Sequence, residues 1–341
     1  MRLVGSETDR ESRPAVVIPA RSASMRKALY LARRACPHNF PVLLLGETGV
    51  GKDYLARWIH ERSFCSDGPY LAINCAALPG SLAESELFGH EAGAYTGAGC
   101  MKPGLVEVAD GGTLLLNEIG DLDLVQQAKL LTFLDTRSFI RVGGTKVLHS
   151  QARIVAATNR DLVRDVRRGA FRSDLFYRLN VLTIAVPPLR KRRMDFPLLT
   201  GLLLEDLGVE LGRDHTPRLS NEALSDLVAR RWPGNIRELR NVLHRSLILS
   251  GEPLIEPHHL EYSDGDPLDA SSSPRSFTCE SDLGFHDAVD EFKRWLIVEA
   301  FRSTRSVPEV AASLRISRYS LYHQVKVLGL SRLLPRAPSP V

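Results

Sequence analysis

Three short apolar runs alternate with amphipathic segments along the first half of the chain. They are Pro41–Leu45, Gly111–Leu116 and Arg153–Ala157, and polar residues follow each of them. Continuous apolar runs of this length predict strands that are buried on both faces, as in a parallel sheet. Because strand and helix patterns alternate from Ala20 to about Val186, we predict a doubly wound α/β domain.

The rest of the chain has helical periodicity, interrupted once. The interruption is rich in Ser, Asp and Pro, which is typical of a flexible linker. Beyond it we predict three helices, at about 285–302, 307–314 and 317–327, the first burying Phe292, Trp295, Leu296 and Ala300 on one face. The predicted segments are a tail (1–16), an α/β subdomain (17–187), a helical lid (188–262), the linker (263–283), an all-α domain (284–333) and a second tail (334–341).

Composition narrows the class of protein. The chain has 341 residues, 44% of them hydrophobic and 25% charged, with a formal net charge of +4. These values are ordinary for a soluble protein of two or three domains. Since no apolar stretch reaches the length of a membrane span and Met1–Ser6 lacks the apolar block of a secretory signal, we expect a cytoplasmic protein without a membrane partner. Five scattered cysteines without C-x-x-C spacing predict reduced thiols.

A phosphate-binding loop is the first candidate for chemistry. Residues 46–53 read GETGVGKD, follow the first predicted strand and open a predicted helix from Lys52 to Arg62. Glycines in this pattern let backbone N–H groups face phosphates, and the lysine reaches the terminal phosphates. Asp53 stands where Ser or Thr usually contacts magnesium. The predicted nucleotide contacts in this loop are Gly46, Glu47, Thr48, Gly49, Val50, Gly51, Lys52 and Asp53.

The next two strands end in polar residues at the same predicted sheet edge. Glu118 is our candidate for the base that activates water, and Asn117 precedes it where an ATPase usually has a metal-holding acid. An amide can accept a hydrogen bond from a metal-bound water but brings no charge, so hydrolysis is expected to be slow. Thr158 and Asn159 follow the third strand, where an amide can orient the water.

Two arginines lie six positions apart in a predicted helix at about 171–180. Six positions correspond to a rotation of about 600°, so Arg172 and Arg178 do not share one helix face. We therefore expect two different roles, among them stabilising charge on a γ-phosphate. The alternative is a pair of solvated surface arginines.

Residues 93–98 read GAYTGA, about forty positions after the phosphate-binding loop. An aromatic residue held among glycines suggests a mobile element that is moved by nucleotide turnover. A plain surface hairpin is the alternative, but it does not account for an apolar ring kept away from a core.

These motifs resemble those of bacterial enhancer-binding proteins, the AAA+ family of sigma-54-dependent transcriptional activators. The resemblance covers residues 15–262 for an ATPase part and 284–330 for a DNA-binding part. It implies an α/β AAA+ P-loop NTPase fold with a parallel sheet and a helical lid, the cofactors ATP and Mg²⁺, and a ring that we expect to be a hexamer. The family usually has Phe in place of Tyr95 and Asp in place of Asn117.

The resemblance also implies roles for individual residues. Asn74 matches the amide that holds or releases Glu118 according to nucleotide state, and Arg237 matches the second sensor on the lid. Thr158 and Asn159 match the first sensor, Arg172 and Arg178 match the trans-acting arginines, and Arg141–Gly144 matches a second mobile loop. Magnesium is expected at Asn117 and the nucleotide phosphates. The implied contacts with the sigma-54 RNA polymerase holoenzyme are Gly93, Ala94, Tyr95, Thr96, Gly97 and Ala98.

The C-terminal helices resemble a helix-turn-helix of the factor-for-inversion-stimulation type. Ser317 is a plausible helix cap, and Arg315 lies in the turn, where relatives usually have Gly. From Val310 to Val341 there are five basic residues and no Asp or Glu, which suits contacts with DNA phosphates. The alternative is a three-helix packing module. The predicted contacts with double-stranded DNA are Ser317, Arg318, Tyr319, Ser320, Tyr322, His323 and Lys326.

Three functions from different classes follow. The first is an ATP-driven activator that opens the sigma-54 promoter complex, and the second is a DNA-binding regulator that binds ATP to set its oligomeric state but scarcely hydrolyses it. The third is a nucleic-acid remodeller such as a helicase loader, against which an intact GAYTGA argues. Since residues 1–16 are too short for a regulatory domain, we expect control by a regulatory protein acting in trans or by the level of synthesis.

Overall fold

The computed structural model describes residues 16–77, 80–213, 215–250, 254–262, 293–298, 300–301, 306–314, 316–328 and 330. The chain divides into two compact units, residues 1–264 and 265–341. The predicted linker, both predicted tails, Phe292 and Arg315 lie outside the described residues, apart from Val16 at the end of the first tail.

A five-stranded sheet forms the centre of the first unit. From one edge to the other its strands are β2 (Tyr70–Asn74), β5 (Thr113–Asn117), β8 (Arg153–Thr158), β1 (Val42–Leu45) and β9 (Leu182–Ala185), and all four pairings are parallel. All three apolar runs are therefore strands, and their carboxyl ends share one edge. The strands of the first unit are β1 Val42–Leu45, β2 Tyr70–Asn74, β3 Gly89–His90, β4 Lys102–Pro103, β5 Thr113–Asn117, β6 Ser138–Ile140, β7 Val147–His149, β8 Arg153–Thr158, β9 Leu182–Ala185, β10 Arg218–Leu219 and β11 Leu254–Ile255.

Helices cover both faces of the sheet and build the lid. Alternate residues of β1 face opposite ways, so Leu43 joins one apolar cluster while Val42 and Leu44 join the other. The helices of the first unit are α1 Ala23–Ala35, α2 Lys52–Glu61, α3 Gly80–Phe88, α4 Leu105–Val108, α5 Leu124–Thr136, α6 Leu162–Arg167, α7 Ser173–Leu179, α8 Phe196–Glu210, α9 Asn221–Ala229 and α10 Asn235–Ser250.

The lid begins at a buried ion pair. Asp195 is fully buried and accepts hydrogen bonds from Ser22 N (2.8 Å), Ser22 Oγ (2.7 Å) and Arg192 Nε (3.1 Å). Burial alone raises the pKa of a carboxyl, but these donors outweigh it and hold the pKa of Asp195 below its ordinary value. Arg192 belongs to the basic run Arg190–Arg193, and through Asp195 it connects the start of α1 to the lid.

The second unit contains helical residues 293–298 and 300–301 and two further helices, α11 Val307–Ser313 and α12 Arg318–Val327. Its apolar cluster includes Ile297, Val310 and Leu321. The prediction that Leu296 is buried is wrong, because Leu296 is 38% exposed and the next residue, Ile297, faces the cluster. Ala300 is half-buried against that cluster, as predicted.

Among the described residues, no helix is both long and apolar enough to cross a membrane. Cys36, Cys65, Cys75 and Cys100 are free thiols, whereas Cys279 lies outside the described residues.

Candidate nucleotide-binding site

The phosphate-binding loop connects β1 to α2 at the carboxyl edge of the sheet. Gly49 and Gly51 have φ angles of 77° and 94°, a region that strains any other residue type. Lys52 is 7% exposed, and its Nζ donates to the carbonyl oxygens of Gly46 (2.9 Å) and Glu47 (3.3 Å). The glycine turn and the helix start at Lys52 are therefore as predicted, whereas the contact of Lys52 with phosphates stays a prediction.

Glu118 lies beside this lysine. Its Oε1 is 3.7 Å from Lys52 Nζ, and its Oε2 accepts from the backbone N–H of Asn159 (3.1 Å). Burial lowers the pKa of Lys52, and the Glu118 carboxylate partly offsets that shift. Glu118 has a φ of 50°, a conformation that costs about 1–3 kcal/mol and is common at functional sites.

The end of β8 is joined to the loop at two points. Asn159 Nδ2 donates to Thr48 Oγ1 (2.9 Å), and Gly46 N donates to the Thr158 carbonyl (3.3 Å). The predicted first sensor thus contacts both the loop and Glu118. A shift of the phosphate-binding loop at Thr48 can therefore move Asn159 and, through it, Glu118.

Asn74 and Asn117 lie side by side at the ends of paired strands. Asn74 Oδ1 accepts from Ala76 N (3.2 Å) in its own turn, whereas Glu118 bonds to Asn159 instead. The structure therefore places Asn74 near Glu118 along the sheet edge without a hydrogen bond between them. Within the described part of the chain, no three His, Cys, Asp or Glu side chains form a group that could hold a metal.

Lid residues cover the outside of the loop. A side chain at Gly49 would clash with the Gly234 carbonyl oxygen, and Arg237 Cβ lies against the same position. Arg190 binds Glu47 through two hydrogen bonds of 2.8 and 2.5 Å, which lower the pKa of Glu47. Arg190 and the buried Asn235 were missed by sequence reasoning. Only the GNIRE segment around Asn235 carried a usable signal.

The two candidate trans-acting arginines lie just before α7 and near its end, and each pairs locally. Arg172 precedes the first helical residue and binds Asp174 through two hydrogen bonds (2.7 and 3.1 Å). Arg178 binds Asp135 (3.0 Å) and the Leu134 carbonyl (2.9 Å). Both side chains are exposed, and the expectation that they have two different roles stays a prediction.

The GAYTGA residues form the tip of a hairpin between β3 and β4. Gly93 N donates to the Ala98 carbonyl (2.8 Å), and Gly93 and Gly97 have φ angles of 80° and 105°. Tyr95 is 38% exposed, with its ring edge-on to His90. Residues 93–98 thus belong to a surface hairpin, and this hairpin carries a partly exposed aromatic ring at its tip.

A second hairpin, β6–β7, supports the first. Arg141 donates to Glu91 (2.9 Å) and Glu107 (2.7 Å), and the backbone of Val142 bonds to Gly89 and Glu91. At Gly143 a side chain would press on Ala94, so the two hairpins touch.

In the second unit, the candidate DNA contacts lie on α12. Ser317 caps this helix by accepting from Ser320 N (3.1 Å), as predicted. Arg318, Tyr319, Tyr322, His323 and Lys326 are exposed, whereas Leu321 and Val325 are buried. One face of α12 therefore packs and the other is open.

Together, the parallel sheet, the glycine loop with its lysine, the glutamate at the next strand end and the covering lid define an AAA+ P-loop NTPase fold. Residues 18–185 match the family model of the sigma-54 interaction domain, and residues 190–272 match that of the AAA+ ATPase lid domain. The chain belongs to the family of proteins that carry the sigma-54 interaction domain.

Individual relatives agree. The chain is 44% identical over 266 residues to the transcriptional regulatory protein FlbD of Caulobacter vibrioides, covering 78% of this chain and 57% of that protein. It is 43% identical over 293 residues to the regulatory protein AtoC of Escherichia coli, covering 85% of this chain and 62% of that protein. The protein in the crystal structure of NtrX from Brucella abortus in complex with ATP is 32% identical to this chain. The match covers 92% of this chain and 70% of that one, with a TM-score of 0.67. The chain thus spans about three fifths of the length of each of these two curated relatives.

Proposed function

We propose that this protein is an ATP-dependent transcriptional activator that assembles into a ring, binds DNA upstream of promoters and remodels the closed complex of sigma-54 RNA polymerase. One observation carries the proposal: a single domain holds both a formed phosphate-binding loop beside a glutamate and an exposed aromatic hairpin. Nucleotide binding alone does not require an exposed aromatic hairpin, whereas remodelling of a partner requires a surface that contacts it.

The residues of the site suit a nucleoside triphosphate. The glycine turn, the N-terminus of α2 and Lys52 offer donors and positive charge, which is what polyphosphate oxygens require. Arg237 lies against the loop from the lid, in position to contact the same ligand. Mg²⁺, when bound, supplies charge neutralisation, and it would be held by the phosphates with Asn117 accepting from a metal-bound water.

Hydrolysis then depends on groups from two protomers. Glu118 is the base that takes the proton of the attacking water, and Asn159 positions it through its backbone N–H. Asn74, at the neighbouring strand end, is suited to receive Glu118 when nucleotide state changes. Arg172 and Arg178 act on the nucleotide of the adjacent subunit, which is supported by their exposure and by their lack of any contact with the loop among the described residues.

Tyr95 and Thr96 contact the sigma-54 holoenzyme in this proposal. Both are exposed at the hairpin tip, and a side chain added at Gly93 or Gly97 would meet no other atom, so the tip is not packed against its own domain at these glycines. The β6–β7 hairpin, which touches Ala94, transmits movement of the domain to this tip.

The open face of α12 supports contact with double-stranded DNA. It presents two cationic side chains, Arg318 and Lys326, beside Tyr319, which is 82% exposed. Basic residues of this kind bind phosphates, and a helix that follows a short turn can enter the major groove.

In vitro transcription with purified sigma-54 holoenzyme tests the proposal. Open complexes are expected with ATP and not with a non-hydrolysable analogue, and Lys52→Ala is expected to abolish them. Equal open-complex formation with the analogue would refute the remodelling role.

Asn117 favours a second candidate, a DNA-binding regulator that binds nucleotide but scarcely hydrolyses it. It replaces a charged metal ligand with a neutral amide. Turnover near zero with intact ADP and DNA binding would support this candidate over the first.

A further inference from the structure

A turn at the start of α10 holds the phosphate-binding loop from outside. Asn235 is fully buried and has a φ of 54°. Its Oδ1 accepts from Leu189 N (2.8 Å), and its Nδ2 donates to the Thr48 carbonyl (3.0 Å) and lies 3.2 Å from Glu47 Oε2. The next residue, Ile236, donates its backbone N–H to the Gly49 carbonyl (2.9 Å).

These two bonds capture consecutive carbonyl groups of the loop. In a trans peptide the C=O and the following N–H point in opposite directions, and no described peptide is cis. With the Thr48 and Gly49 carbonyls turned toward the lid, the N–H groups of Gly49 and Val50 point the other way. That is the orientation in which such loops cradle phosphates.

We propose that Asn235 is a positioning residue, which fixes the phosphate-facing amides of the loop from the lid. This inference rests on the nucleotide binding of the proposed function. It implies that the affinity for phosphate depends on the lid turn as well as on the loop's own sequence.

Asparagine has the chemistry that this position requires. Leu189 N needs an acceptor and the Thr48 carbonyl needs a donor, and one side-chain amide supplies both. Asparagine also tolerates a positive φ better than most residues. An aspartate keeps the acceptor and the backbone conformation but loses the donor, and it brings a carboxylate against Glu47, whose own charge is held by Arg190.

The test is Asn235→Asp in the full chain, with the dissociation constant for ADP measured by titration well below the melting temperature. We expect ADP binding to weaken by about tenfold or more, because the Thr48 carbonyl loses its donor. Asn221→Asp, the same substitution at the exposed start of α9, is the matched control and should leave ADP binding unchanged. A purely structural role predicts a lower melting temperature with unchanged ADP affinity in the folded protein, and that result would overturn the inference.

Two further variants separate the causes. Asn235→Asp combined with Glu47→Gln removes the carboxylate repulsion but not the loss of the donor, so ADP binding should stay weak, and full recovery would contradict the proposal.

A second variant, Asn235→Gly, is used if Asn235→Asp gives no cooperative melting transition. Glycine accepts the positive φ and adds no charge, so we expect the same loss of ADP affinity. Unchanged ADP affinity in Asn235→Gly would overturn the inference. Wild-type protein that binds no ADP would instead refute the nucleotide binding on which the proposed function depends.

Discussion

The side chain of Tyr95 is the one on which the proposed remodelling role most depends. Its ring is partly exposed at the hairpin tip and contacts His90 edge-on, while the glycines on either side adopt positive φ angles. An aromatic ring in that setting contributes little to the core, and we propose that it contacts another molecule.

We therefore expect Tyr95→Ala to leave ATP turnover within about twofold of wild type and to reduce open-complex formation by more than tenfold, as for an aromatic anchor at an interface. Tyr95→Phe keeps the ring and should retain activity, and Tyr30→Ala, at an exposed position of α1, is the control for loss of a surface tyrosine. Full activation by Tyr95→Ala would remove the hairpin from the mechanism.

Asn117 allows a test of metal charge. Asn117→Asp restores a carboxylate beside Glu118, and we expect turnover to rise by about tenfold, which corresponds to about 1.4 kcal/mol of barrier. The Mg²⁺ concentration for half-maximal ATP hydrolysis should fall at the same time. If neither quantity changes, the neutral amide is not what limits hydrolysis.

Among elements, the junction between the sheet and the lid has the clearest energetics. Asp195 and Arg192 are both almost fully buried and joined at 3.1 Å, and Ser22 completes the carboxylate's hydrogen bonds. Removing one partner of such a pair leaves an uncompensated buried charge.

Asp195→Asn is expected to lower the free energy of unfolding at pH 7 by about 3–5 kcal/mol, measured by chemical denaturation. Because the folded-state pKa of Asp195 lies below its ordinary value of 3.8, its carboxylate stabilises the fold above that pH and this contribution is lost as the pH falls through the folded-state pKa. The difference between variant and wild type should shrink in that acid range. Asp174→Asn, which breaks an exposed pair, is the control and should cost about 0–1 kcal/mol. If both variants lower the free energy of unfolding by a similar amount, burial does not make the Asp195–Arg192 pair more important to stability than an exposed pair.

The sequence predicted these elements unevenly, for physical reasons. Strand β1 and helix α2 follow from an apolar run and a glycine-lysine motif, because local pattern determines both. The bonds of Asn235 and Arg190 to the loop join residues about 140 to 190 positions apart, and no local pattern reports such contacts. The prediction for Leu296 is wrong because the neighbours that a helix packs against, here around Ile297, determine which of its faces is buried.

At the scale of the whole molecule, the site is proposed to need two protomers. Lys52 and Glu118 belong to the same site in one chain, whereas Arg178 would serve the neighbouring one. This arrangement can be tested without a structure of the ring.

Lys52→Ala and Arg178→Ala should each be nearly inactive as ATPases, but a 1:1 mixture should regain up to about a quarter of the wild-type rate, since random assembly gives about that share of complete sites in a head-to-tail ring. The matched control mixes Lys52→Ala with Glu118→Gln. Both residues lie in one protomer's half of the site, so that mixture should stay inactive. Recovery in the control, or none in the first mixture, would contradict action across a subunit boundary.

Arg172 and Arg178 already hold acids of their own chain, Asp174 and Asp135. If the proposed ring forms, either guanidinium would replace its contact with that carboxylate by a contact with the neighbour's phosphate. Ring closure and ATP binding would then compete with the protomer's internal ion pairs, and added salt would weaken both kinds of contact because these pairs are exposed. In this proposal each subunit releases its own acid as it takes up its neighbour's substrate.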